Sequence, residues 1–341
     1  MDTNFIDISE CTSEMKLAEN VVNIFGTTLA FKGTVLDEHL IKKIKLNKIE
    51  QVSIFNSVRD KSQAEFKKDY KQNTLKVKEM LKDIGNGEDV DLNTLNELAT
   101  DVISTTSKSG AVLNWLNHVK EVDNYTYNHS VNVSVISYMI GKWLGLPESK
   151  LLNLTYAGLL HDIGKAFVPE QILNKPGKLT EEEFEEMKRH PVYGYRQIEK
   201  MKDIPKDVAY GVLMHHEREN GKGYPMGATS SQINQFAKII SVADVYDAMT
   251  SDRVYHSKSA PLNVLGMIQK ETFGILDPAI TMPFLNNIAN YYIGDIVMLN
   301  TGEAAQISFI NYYDISKPIV IIDNVVVDLS KEDNLYIECL L

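Results

Sequence analysis

A histidine and an aspartate, His161 and Asp162, follow directly on the apolar run at residues 157–160. A helix that apolar is buried, so it delivers two polar side chains into the interior. A buried carboxylate has to be neutralised by a hydrogen-bonded cation or a metal. The chain must therefore fold so that cationic groups or ions converge on Asp162. The next residues, Ile163-Gly164-Lys165, are expected to end the helix at a glycine and to present a lysine. A carboxylate has two oxygens and can bridge two cations.

The same conflict between polar groups and apolar helices recurs further on. His215-His216 is a second unusual pair. Adjacent helical residues point about 100° apart, so both can serve one centre only near a helix end or with one ligand per metal. Residues 217–225, beginning Glu217-Arg218 and closing with Gly223-Tyr224-Pro225, form a glycine-rich loop of the kind that positions ligands. Asp244 sits among small and apolar residues at 239–249 and again demands a partner. Asp247, one turn on, is placed to hold a histidine in the right tautomer. Arg253 and Tyr255 follow; a guanidinium there suits bidentate contact with phosphate.

The surrounding periodicity is helical. Apolar residues recur at i, i+3 and i+4 over 131–144, 151–160, 184–198, 208–214 and 233–249, with glycine and proline breakers between them. No strand alternation interrupts them, so residues 123–289 are expected to be an all-α domain. Residues 1–60 read as a small α+β module, with strands at 20–24, 29–31 and 51–55 and a helix at 37–46. Residues 61–122 read as two charged helices, 61–82 and 92–119, which either form a connecting or dimerising hairpin or pad the side of the next domain. Residues 290–341 read as a β module with strands at 295–299, 304–310, 318–322 and 335–340. The fold class expected is mainly α: a helical bundle with a small N-terminal α+β module and a small C-terminal β module.

Composition removes several functions. The 341 residues carry a formal net charge of −11, which argues against generic binding to DNA or to an anionic membrane surface. One basic pocket for a small phosphate ligand remains compatible with it. No apolar stretch is long enough to span a bilayer, and the N-terminus lacks the pattern of a secretion signal. Cys11 and Cys339 form no disulfide or metal spacing motif, and a reducing, cytoplasmic address is expected.

Of 8 histidines, His39 and His118 carry no partner pattern and are read as ordinary core or surface residues. The remaining inventory is His129, His161, Asp162, His190, His215, His216 and Asp244, with His256 beyond it. Imidazoles with carboxylates suit first-row divalent ions, and the absence of cysteine argues against a soft structural site. These ligands exceed the needs of one tetrahedral ion. A metal pair bridged by Asp162 fits the count and is a recurring solution for phosphoester hydrolysis.

The order His … His-Asp … His … His-His … Asp resembles the HD superfamily of metal-dependent phosphohydrolases. His161-Asp162-Ile163-Gly164-Lys165, His215-His216-Glu217-Arg218 and Gly223-Tyr224-Pro225 together resemble its HD-GYP family, over residues 123 to about 289. The tail from Ile293-Gly294-Asp295 to Gly302-Glu303 is similar to the β extension of many such domains. The resemblance implies a phosphodiesterase that hydrolyses cyclic di-GMP or a related cyclic dinucleotide. It implies that His129, His161, Asp162 and Asp244 hold one metal, and that Asp162 bridges to a second held by His190, His215 and His216. Lys165 and Arg253 would bind phosphate, with Tyr224 and His256 also against substrate, and Asp247 and Glu217 behind the ligands. Relatives with three metals carry an acidic residue one turn before the first histidine; Tyr125 stands here, so two metals are implied, iron or manganese first, with nickel, zinc or magnesium as alternatives. The family usually has aspartate at the position of Asn220 and a basic residue at that of His256, which implies weaker or pH-dependent phosphate binding here.

The expected reaction is in-line attack at phosphorus by a hydroxide shared between the metals, with Lys165 acting beside the ions. It would give the linear dinucleotide 5'-phosphoguanylyl-guanosine first and GMP by a slower second cut, with Tyr224 stacking on guanine. Two alternatives stand beside it: a catalytically weak receptor that signals through association with itself or with partner proteins, and another HD-type nucleotide phosphohydrolase.

Overall fold

The computed structural model describes residues 3–13, 15–55, 63–88, 91–107, 125–250 and 261–340. The chain opens with β1 (Thr3–Asp7), β2 (Val21–Val22), β3 (Thr28–Ala30), α1 (Glu38–Leu46) and β4 (Gln51–Phe55). β1 pairs antiparallel with β4, and β2 with β3. Asp37 caps α1, its side chain accepting from the Leu40 amide at 2.6 Å. Ile8, Leu17, Leu36, Ile44 and Val52 close a small separate core.

α2 (Gln63–Gly85) and α3 (Leu92–Ser107) follow. Residues 108–124, which include His118, lie outside the described residues. Tyr70, Val77, Met80, Leu95 and Val102 from this pair join the same hydrophobic core as the helices after residue 124. The described residues of the pair therefore pack against the bundle.

The bundle consists of α4 (Tyr125–Trp143), α5 (Glu148–Leu160), a short 3-10 turn (Ile163–Phe167), α6 (Glu170–Leu173), α7 (Glu181–Met187), α8 (His190–Ile198), α9 (Lys206–Met214), α10 (Gln235–Thr250), α11 (Pro261–Glu271) and α12 (Pro278–Asn290). Two details depart from the expected boundaries. The run at 184–198 is two helices, because Pro191 has no N–H to continue the first and instead starts the second at its N-terminal turn. α5 stops at Leu160, before Gly164, and Asp162 lies in the turn with φ −100° and ψ 7°.

Two glycines set the closest approaches. A Cβ on Gly158 would lie 2.6 Å from Ser134 Cα, so α4 and α5 meet backbone to backbone. A Cβ on Gly164 would lie 1.8 Å from the His190 carbonyl oxygen and 2.5 Å from the Gly194 nitrogen. The turn carrying Asp162 can therefore touch α8 only without a side chain there. Gly164→Ala is expected to cost at least about 3 kcal/mol, the upper range for forcing atoms into a packed interior, and to separate Asp162 from His190. Chemical denaturation and metal content measure both; wild-type values would refute the close-approach argument.

The C-terminal module is a five-stranded antiparallel sheet, ordered β8-β7-β6-β5-β9. Its strands are β5 (Ile296–Leu299), β6 (Ala304–Phe309), β7 (Ile319–Ile322), β8 (Val325–Asp328) and β9 (Ile337–Leu340). The sequence reading omitted β1 and β8. β8 returns from β7 through Asp323-Asn324, both at positive φ, as a tight hairpin requires. Across the molecule, Lys43 of α1 reaches Asp295 at 2.9 Å and the Tyr291 carbonyl at 3.1 Å, tying the first module to the last. His39 also has a partner, Asp295 at 3.5 Å, whose carboxylate raises its pKa against the opposing effect of burial.

Candidate metal centre

Each ligand histidine stands where a helix ends, begins or crosses another. His161 caps the C-terminus of α5, His190 opens α8, and His215 caps α9. His215 and His216 face the same group of side chains because α9 stops at Met214. His129 comes from α4, and Asp244 and Asp247 from α10.

The hydrogen bonds fix the tautomers. His161 Nδ1 lies 2.8 Å from the Gly158 carbonyl, His190 Nδ1 2.8 Å from that of Met187, and His215 Nδ1 2.7 Å from that of Val212. A carbonyl only accepts, so each Nδ1 carries the proton and each Nε2 offers its lone pair. His129 Nδ1 meets the Asp247 carboxylate at 2.7 Å and carries a proton too, and a metal would take the place of the proton on its Nε2.

These lone pairs converge into two groups. Ligand atoms of Asp162, His190, His215 and His216 lie within 4.8 Å of one another, as do those of His129, His161 and Asp244. Asp162 stands between them. Its Oδ1 faces His190 Nε2 at 3.4 Å and His215 Nε2 at 4.0 Å; its Oδ2 faces His161 Nε2 at 3.3 Å and His129 Nε2 at 3.6 Å. Lys165 Nζ also meets Oδ2, at 2.5 Å. Asp162 Oδ1 is buried and has no hydrogen-bond partner among the described residues. A buried carboxylate oxygen left unpaired in front of imidazole lone pairs fits a divalent cation.

The electrostatics agree with that fit. Burial, opposing charge on the rings, keeps His190 and His215 below the ordinary histidine range and takes His216 down to about 3. These three are neutral at pH 7, the state a metal needs. Burial also resists charge on His129, but Asp244 and Asp247 outweigh it and raise its pKa to about 10. Burial would raise the carboxyl of Asp162, yet Lys165 and His161 hold it well below the usual range. His129 likewise outweighs burial at Asp244.

Other predicted residues fall into place differently. Tyr224 lies over His216, ring centres 4.6 Å apart, at a cis Tyr224–Pro225 bond; burial pushes its phenol up. Glu217 follows His216 at the start of the loop. It is buried and accepts from the Met226 amide at 2.7 Å and the Ala228 amide at 2.8 Å, so it anchors the loop that carries Tyr224. Arg253 and His256 lie outside the described residues. The sequence reading missed Arg218, which donates to Ser241 and to the His215 carbonyl, and Asn132, which donates to Asp247 at 2.8 Å. Asn132 is a buried polar residue on the apolar helix α4, the signal that exposed Asp244, and it could have been found by it.

Comparison with known proteins gives the relatives of this chain. A family described as "HD domain" matches residues 116–280. The chain is 36% identical over 227 residues to a cyclic di-GMP phosphodiesterase of Pseudomonas aeruginosa, covering 67% of this chain and 55% of that protein. It is 35% identical to a cyclic di-GMP phosphodiesterase of Thermotoga maritima, covering 51% and 47%, and 34% identical to a 3'3'-cGAMP-specific phosphodiesterase of Vibrio cholerae, covering 45% and 33%. The chain thus spans about half the length of the first curated relatives it matches. A solved HDG"Y"P protein from Bdellovibrio bacteriovorus shares the fold, with a TM-score of 0.57 at 17% identity, covering 84% of this chain and 99% of that one. Residues 116–280, with the histidine and aspartate side chains gathered between their helices, thus match the HD-domain family.

Proposed function

We propose that this protein is a metal-dependent phosphodiesterase acting on a cyclic dinucleotide, with cyclic di-GMP as the first substrate to test. The observation that carries the reading is Asp162, a carboxylate of the four-residue group whose second oxygen faces His129 and His161 of the other. His129, His161, Asp162 and Asp244 would hold one divalent ion, and Asp162, His190, His215 and His216 a second. Two such ions supply Lewis acidity to a phosphoryl oxygen and make water a nucleophile near neutral pH. Iron or manganese suits this imidazole and carboxylate set.

The chain's own groups do the rest. Lys165 is about one-third exposed while its ammonium touches Asp162, so it stands at the rim with charge to offer a phosphodiester. Tyr224 presents a ring beside His216 that can stack on a base. Glu217 holds that loop in place through two backbone amides. Arg253 and His256 are proposed phosphate contacts from sequence. The expected product is the linear dinucleotide, with GMP following more slowly. No helix among the described residues is long and apolar enough to cross a membrane. We place the reaction in the cytoplasm, where Cys11 and Cys339 stay as the free thiols they are.

The 3'3'-cGAMP-specific relative makes a mixed purine cyclic dinucleotide the second substrate to test. The deciding assay presents metal-loaded protein with cyclic di-GMP, 3'3'-cGAMP and mononucleotides. Turnover of a cyclic dinucleotide is expected. Hydrolysis confined to mononucleotides, or none with two metals bound, would refute the reading.

A further inference from the structure

A chain of buried side chains leads away from the metal centre to a helix that contributes no ligand. His129 Nδ1 meets Asp247 Oδ2 at 2.7 Å. Asp247 Oδ1 accepts from Asn132 Nδ2 at 2.8 Å. Asn132 Oδ1 accepts from the Tyr70 hydroxyl at 2.7 Å, and that hydroxyl also lies 3.3 Å from the Asn128 carbonyl. All four side chains are buried. Tyr70 belongs to α2, His129 and Asn132 to α4, and Asp247 to α10.

The directions of these bonds are forced. A carboxylate can only accept, so Asn132 turns its amide nitrogen to Asp247 and its oxygen to Tyr70. Tyr70 must then donate. A flipped Asn132 would set its oxygen against the carboxylate and lose that bond. The tyrosine thus fixes the amide, the amide fixes the carboxylate, and the carboxylate holds the ring of His129 with Nε2 toward Asp244 and Asp162. α2 meets the centre at a second point. A Cβ on Gly85 would lie 3.2 Å from that of Ala166, the residue after Lys165. Tyr70 and Gly85 are about 22 Å apart along the helix.

We propose that Tyr70 is a positioning residue of the metal centre, acting through Asn132 and Asp247 on His129, so that the placement of α2 sets the affinity of the three-ligand group. This rests on the metal-centre reading above. α2 joins the N-terminal module to the bundle, and a displacement of the helix that breaks the Tyr70 bond weakens one metal and spares the other.

The test is titration of the chelator-stripped full chain with manganese(II), followed by calorimetry. Tyr70→Phe is expected to weaken one of two sites about tenfold, as loss of an outer partner of a ligand does, and to leave the other unchanged. Thr74→Val is the control: it removes another buried hydroxyl of α2, bonded to Asn128 Oδ1 at 3.1 Å but outside the chain to His129, and should leave both affinities unchanged. Asn132→Ala should weaken the same site at least as much, and Tyr70→Phe added to it should weaken it no further. Wild-type affinities in Tyr70→Phe, equal losses in Thr74→Val, or additive losses in the double variant would each overturn the proposal. Should Tyr70→Phe not fold, unchanged affinities in Asn132→Ala would overturn it. A wild-type chain that takes up fewer than two manganese ions would instead overturn the metal-centre reading, and this proposal with it.

Discussion

Replacing Asp162 with alanine is expected to empty both metal positions and lower cyclic dinucleotide turnover by at least about a thousandfold, roughly 4 kcal/mol of transition-state stabilisation. The carboxylate faces His190 and His215 with one oxygen and His129 and His161 with the other. Its loss removes a ligand from both groups at once and frees Lys165 from the charge that holds it. His216→Ala is the informative comparison. It removes a ligand from the four-ligand group alone, so metal content should fall from two to one rather than to none. Elemental analysis beside an activity assay reads both quantities. Turnover that survives the loss of both metals would end the proposed function, and equal metal loss in the two variants would end the shared-carboxylate account.

The second large effect is that of metal removal, and it should depend on pH in a particular way. In the metal-free protein His190, His215 and His216 have pKa values below their unfolded value. Below pH 6.5 the unfolded chain therefore binds protons that the folded chain refuses. Each such histidine lowers stability by about 1.4 kcal/mol per pH unit of acidification while its folded form stays neutral. His129 acts with the opposite sign. Its folded pKa is raised to about 10, so its contribution is complete below pH 6.5 and disappears as pH climbs from there to about 10. The stability of the stripped protein should peak near pH 6.5 and fall on both sides. Metal held at a hundred times its Kd should add about 2.7 kcal/mol per site, seen as a higher melting temperature.

Proton release gives an independent reading of the same asymmetry. The three neutral histidines can take a metal without losing protons, whereas His129 must surrender one. Metal loading at pH 7 should release at least one proton per chain, that of His129, in weakly buffered solution. Release of none would mean that His129 is not a ligand.

Much of the centre was legible because burial of polar groups is a local signal. His161-Asp162 after an apolar run, and Asp244 and Asp247 inside another, each declare a conflict that only a partner resolves. Asn132 gave the same signal and went unread, since an amide on an apolar helix looks less costly than a carboxylate. Glu217 is expected behind the ligands; its backbone partners, Met226 and Ala228, are nine and eleven residues away, and only the folded loop brings them to it. The edge strand β8 escaped because its pairing comes from the Asp323-Asn324 turn rather than from alternation.

The candidate ligands and their helical frame were legible in the sequence alone, because each buried histidine or aspartate contradicts its own apolar neighbours within a few residues. The distances that gather them on the two sides of Asp162, and the line from Tyr70 to His129, were decided only by tertiary structure. They depend on how α2, α4, α5, α8, α9 and α10 approach one another. That approach is set by packing between residues far apart in the chain, such as Gly164 against His190 and Gly158 against Ser134.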